Sequence, residues 1–296
     1  MTHWQTNSVR LAAIIMIACA GTVLASERID LPDGSSQAGA LHTRNASIQV
    51  GDHSSVEGSI SSRNGSIRLG IEGSYADVGS RNGSISIGDR SQVGAVETRN
   101  GSISLGEQVR AGTLSTRNGS ITIGAGSEID GLVHTRNGSI RLGQDSQIAA
   151  DVRTRNGRIA LASDSLVAGD ASTRNGNIEL ISARVTGSLR SRSGDLVLRQ
   201  SGEVGADVVI EVEPVDGGWF SFLRSVQYGE AGNIRILDDS TVHGDVIVRL
   251  PANYNETFPT VEIAESARVL GKLLVDHRVE LIVDGSVSGD IERIRP

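Results

Sequence analysis

Aliphatic and polar residues alternate along most of this chain in runs too short for a helix, and glycines punctuate the runs. In Val133-His134-Thr135-Arg136-Asn137-Gly138-Ser139-Ile140-Arg141-Leu142, the two-residue period of a strand sends Val133, Thr135 and Asn137 to one side. Beyond the Gly138 corner, Ile140 and Leu142 follow them, leaving Arg136, Ser139 and Arg141 outward. The same phase returns along the chain, with the arginine at 44, 63, 81, 99, 117, 136, 155, 174 and 192, always 18 or 19 residues apart. The consensus is Thr/Ser-Arg-Asn-Gly-Ser-Ile, an aliphatic and a glycine, then a looser stretch with another aliphatic. A unit this small cannot enclose its own core, so it must stack on its neighbours. Stacking in register sets Ile on Ile, Leu on Leu and Asn on Asn at the strand spacing of about 4.8 Å. The pattern predicts an all-β, single-stranded parallel β-helix, a solenoid with coils of 18 to 19 residues and three short strands each.

Asn-Gly between aliphatic runs is also a hairpin signal, so an antiparallel meander is the competing fold. A meander gives no reason for one hexapeptide to recur at one phase, whereas a solenoid rewards identical corners with a ladder of side-chain amide hydrogen bonds. That ladder is expected at Asn45, Asn64, Asn82, Asn100, Asn118, Asn137, Asn156 and Asn175, facing inward. No proline occurs between Pro32 and Pro214, as an unbroken series of ladder-donating strands requires.

The solenoid does not begin at once. Arg10 precedes the apolar run Leu11 to Ala25, which is short for a membrane span and ends in the small residues of a cleavage site, so residues 1–25 read as a secretory signal peptide. Met16-Ile17-Ala18-Cys19 loosely matches a lipobox, and lipidation at Cys19 is the alternative, with membrane attachment only in that case. Residues 26–42 are expected as a lead-in and cap, and 43–210 as the regular β-helix. Residues 211–232 are expected as an excursion, and 233–296 as irregular closing coils. Four of the eight aromatics fall in the excursion, at Trp219, Phe220, Phe222 and Tyr228, which makes them candidates for a self-association interface.

Charge then narrows the partners. The 296 residues carry 28 Lys+Arg against 35 Asp+Glu, a net charge of -7, and aromatics make up 3%. Such a chain lacks both the basic balance and the stacking rings of a nucleic-acid binder. Its one lysine is Lys272, so the positive charge is almost all guanidinium. The column Arg44, Arg63, Arg81, Arg99, Arg117, Arg136, Arg155, Arg174 and Arg192 spans eight coil rises, roughly 38 Å at the strand spacing. An extended anionic polymer such as an envelope polysaccharide is its expected ligand; alternatively the guanidiniums stack over the Asn corner and pair with acids such as Glu97.

The Arg-Asn-Gly-Ser-Ile coils resemble the bacterial family of adhesin-like β-strand repeats, a domain without a defined function. The closing stretch, with Val269-Leu270-Gly271-Lys272-Leu273 and Gly285-Ser286-Val287-Ser288-Gly289-Asp290-Ile291, is similar to the bactofilins, polymer-forming cytoskeletal β-helices. The second resemblance implies end-to-end assembly.

Other constellations compete. Asp89 with Glu107, Asp145 with Asp164, and Asp151 with Asp170 hold equal phases in adjacent coils, and stacked carboxylates would suit a polysaccharide hydrolase or lyase. Ser84/Ser86, Ser102/Ser104 and Ser120/Thr122 form an outward hydroxyl patch of the ice-binding kind, interrupted by Arg68 and Arg141. The histidines hold no metal-ligand spacing, and no cofactor motif is present. The expectation is an exported, non-catalytic β-helix of the periplasm or cell envelope, a rigid rod for polymer binding, adhesion or self-assembly.

Overall fold

The computed structural model describes residues 23–25, 28–213 and 228–295. Their strands form three parallel sheets of 14, 13 and 13 members, in which neighbours come from successive coils, and no helix occurs among them. The chain is a parallel β-solenoid of about 13 turns with about 19 residues per coil. One coil shows the plan. Val133–Thr135 lies in the first sheet, the Arg-Asn-Gly-Ser corner follows, Ile140–Leu142 lies in the second sheet, and Gln147–Ile148 in the third.

Register makes the aliphatic columns. Val133 pairs with Leu114 and Val152, Ile140 with Ile121 and Ile159, and Ile148 with Ile129 and Val167. All of these side chains are buried. Each contributes on the order of 1.5 to 3 kcal/mol of transfer free energy, so a core almost free of rings is adequate once coils stack.

Inside and outside differ from the strict alternation at one position. Thr135 is fully buried, and its hydroxyl donates to the Gly119 carbonyl of the preceding coil at 2.9 Å. Thr98, Thr116 and Thr154 donate to Gly83, Gly101 and Gly138 in the same way. Asn137, expected to face inward, is exposed, as are the other seven asparagines of its column. The chain leaves extended geometry after the threonine, so Arg and Asn both point outward around the bend. The corner glycine is needed for close approach: a Cβ on Gly138 would lie 1.9 Å from the Gly119 carbonyl oxygen. Ala46, the one non-glycine in this column from 46 to 194, is its first member.

The solenoid also begins earlier than its repeat signature. Ile29–Leu31 pairs in register with Ile48–Val50, and Ser36–Gln37 with Ser55–Val56, so the stretch expected as a lead-in is itself a coil. Val23–Ala25 pairs with Leu41–Thr43. The rest of the expected leader, Cys19 included, lies outside the described residues. At the other end Ile234–Ile236, Val246–Arg249 and Ile291–Ile294 extend the same sheets.

In these closing coils the Arg-Asn corner is replaced by other structures at the same place. The loop after Arg249 buries Tyr254, whose ring lies 6.0 Å from Tyr228 and 6.2 Å from Phe258. Arg278 fastens this loop by donating to the Pro251 carbonyl and to Asp276. Burial pushes the Asp276 carboxyl up, but the hydrogen bonds and charge of Arg278 outweigh it and hold the group below the usual carboxylate range.

Candidate functional site

The corner between the first and second sheets carries two parallel columns. The asparagines form a continuous ladder: each side-chain amide from Asn64 to Asn175 donates to the Oδ1 of the asparagine one coil before, at 2.7 to 2.8 Å. A primary amide has two N–H donors, so one per asparagine remains for solvent or a ligand. Beside the ladder run the arginines. Arg63, Arg81, Arg99 and Arg117 with their asparagines line a groove of about 510 Å³. Arg136, Arg155, Arg174 and Arg192 line its continuation, of about 420 Å³, which ends against Ser193, Glu213 and Gly229.

The two halves differ in their charge balance. Arg44, Arg63, Arg81, Arg99, Arg117, Arg136 and Arg155 form no ion pair or side-chain hydrogen bond with any described residue. The pairing with Glu97 weighed from the sequence is not made. Arg192 pairs with Glu213, and Arg174 is also engaged. Away from the column, Arg90, Arg110, Arg158, Arg184, Arg199 and Arg235 sit in ion pairs, whereas Arg68, Arg141, Arg190 and Arg268 do not pair with a described residue.

The stacked acids have a different occupation. Asp89 accepts the Glu107 amide at 2.9 Å, Asp151 that of Asp170 at 2.8 Å, and Asp170 that of Ser188 at 2.8 Å. Asp145 and Asp164 sit in a turn with positive φ, 56° and 59°. The carboxylates of Asp89, Asp151 and Asp170 hold the corners of the next coil. The hydroxyl column Ser86, Ser104, Thr122 is in register with Arg68 on one side and Arg141 on the other, which limits the flat patch to three coils.

Of the aromatic candidates, Trp219, Phe220 and Phe222 lie outside the described residues. Tyr228 is half-buried, packed against the core and 6.0 Å from the Tyr254 ring. Two arginines escaped the sequence reading. Arg153 and Arg190 stand on the outward face of the first sheet, two residues before Arg155 and Arg192, and share a concave surface of about 690 Å³ with Arg155, Arg174 and Arg192. The signal was present as Arg-Thr-Arg and Arg-Ser-Arg, where alternation turns both arginines outward around a buried hydroxyl residue.

The family model described as Toastrack DUF4097 matches residues 91–249, more than half of the chain. The chain belongs to the Toastrack family. The matched part of the Toastrack domain runs from the coil of Gln92–Val93 to the end of Val246–Arg249, and so includes the second half of the groove. The family is a domain of unknown function. No curated protein and no solved structure matches the chain.

Proposed function

We propose that this Toastrack chain is an exported, non-catalytic rod of the cell envelope whose Arg–Asn groove binds an extended anionic polymer, an envelope polysaccharide in the first instance. The observation that carries the reading is the column from Arg44 to Arg155, seven guanidiniums without a carboxylate partner among the described residues. Like charges one coil apart repel, and an arginine fork donates best to carboxylate or phosphate oxygens. A strand of anions laid along the groove relieves the repulsion and meets one guanidinium and one spare Asn N–H per coil. A catalytic reading is weaker, because one carboxylate of the Asp89/Glu107 stack and both of the Asp151/Asp170 stack already accept backbone amides. Export rests on the leader-like segment, and adhesion or end-to-end assembly on the two sequence resemblances.

The test is a titration of polygalacturonate followed by fluorescence anisotropy at several salt concentrations. Replacing Arg99, Arg117 and Arg136 together by Gln is expected to weaken binding at least tenfold and to flatten its salt dependence, since fewer counterions are released. Unchanged affinity would overturn the reading.

A further inference from the structure

We infer that the surface around Ser172 is a docking site for a compact tetrahedral oxyanion, a phosphoryl or sulfate group. Along the outward column of the first sheet the register runs His134, Arg153, Ser172, Arg190, Val209. Along the neighbouring corner run Arg155, Arg174 and Arg192. Three coils therefore present a grid two positions wide, with spacings of about 4.8 Å along the stack and about 6.6 Å along the strand. Five of its six positions are arginine, and the sixth is Ser172.

This grid is unlike the rest of the groove. In the earlier coils the equivalent outward positions are His42, Ser61, Gly79, Glu97 and Ser115, so the corner there carries one guanidinium per coil. Around Ser172 it carries five in three coils, and all five line one concavity. Ser172 is half-buried and its hydroxyl makes no hydrogen bond to a described residue. By comparison, the inward Thr154, Thr173 and Ser191 hydroxyls are taken up by glycine carbonyls.

The short Ser172 side chain lies in a concavity that the five arginines line together with Glu211 and Glu213, of which Glu211 pairs with Arg249 outside the grid and Glu213 with Arg192. Arg153 is partly neutralised by Asp151, and Arg192 by Glu213, whereas Arg155 and Arg190 have no ion-pair partner among the described residues. A tetrahedral oxyanion offers three or four oxygens that do not share a plane, which suits forks converging from several directions, while a carboxylate confines two oxygens to one plane and bridges two guanidiniums at most side by side, as Glu179 does between Arg158 and Arg199. The grid therefore fits a phosphoryl or sulfate group better than a single carboxylate. It uses Arg153 and Arg190, which the extended groove does not need, so the inference does not rest on the polymer reading.

The probes are inorganic phosphate and inorganic sulfate, each titrated by calorimetry into the whole protein at constant ionic strength held with chloride. The expected result is saturable binding at one site, weakened at least tenfold by Arg153→Gln combined with Arg190→Gln and unchanged by Arg63→Gln combined with Arg81→Gln. The second pair removes the same charge from the far half of the groove. A preference for phosphate that grows as it gains its second charge assigns the phosphoryl group; equal affinity for sulfate assigns either. Thermal melts check that the variants fold, and Arg190→Gln alone, at a side chain without a partner, serves if the double variant does not. No saturable binding by the wild type, no loss in the first variant, or equal losses in both overturns the site. Loss of polygalacturonate binding in the far-half variant, with phosphate binding intact, would separate the two functions.

Discussion

Stacking constrains the corner residues in unequal ways, because Gly119 is pressed against backbone while Asn118 is bonded in the open. A Cβ on Gly119 would lie 2.0 Å from the Gly101 carbonyl oxygen, and backbone cannot move aside as a flexible side chain would. Gly119→Ala should therefore cost about 1 to 3 kcal/mol through overpacking. Asn118 donates to Asn100 and accepts from Asn137, but all three are exposed and water can replace the lost partner. Asn118→Ala should cost only about 1 kcal/mol. Urea denaturation of the two variants gives the order directly, and an asparagine variant less stable than the glycine variant would mean that the ladder, not the close approach, sets the coil spacing. The sequence made the ladder legible as a spacing of identical amides. Its side was misjudged because two-residue alternation stops holding at the bend after Thr116.

The three sheets were not equally legible. Strands such as Ile121–Ile123 put two aliphatics inward and announce themselves, but Gln92–Val93 or Glu128–Ile129 puts only one inward, which is why that stretch of each unit read as loose. The first coil lacked the arginine corner altogether, and only the match of Ile29-Asp30-Leu31 to Ile48-Gln49-Val50 could have revealed it. Between the second and third sheets lies a turn that no pattern flagged, where His53, Glu72, Arg90, Gln108 and Asp145 all take φ between 53° and 56°. Gly126 holds that position in its own coil with φ 65°. A left-handed L-residue costs about 1 to 2 kcal/mol, partly offset by the greater chain entropy glycine has to lose on folding. Gln108→Gly should therefore stabilise the protein by up to about 1 kcal/mol, and Gly126→Ala should destabilise it. A melting temperature that falls in the first variant would show that the Gln108 side chain makes a contribution its exposed position does not suggest.

At the scale of the molecule, about 13 coils at the strand spacing make a rod roughly 60 Å long, acidic overall, with one positive strip along a corner. Two guanidiniums about 5 Å apart in water repel by about 0.8 kcal/mol, and from Arg44 to Arg155 the arginines recur at the coil spacing without an ion pair to any described residue. If the arginines served the fold, their removal would lower stability, chiefly through the loss of stems that cover the asparagine ladder. Glutamine keeps part of that stem and drops the charge. Replacing Arg99, Arg117 and Arg136 together by Gln should thus leave the melting temperature unchanged or raised in dilute buffer, and any rise should vanish near 1 M salt, where the screening length falls to about 3 Å. A melting temperature lowered at every salt concentration would make the column a structural cover, and the unpaired charge would then have to be explained without a ligand.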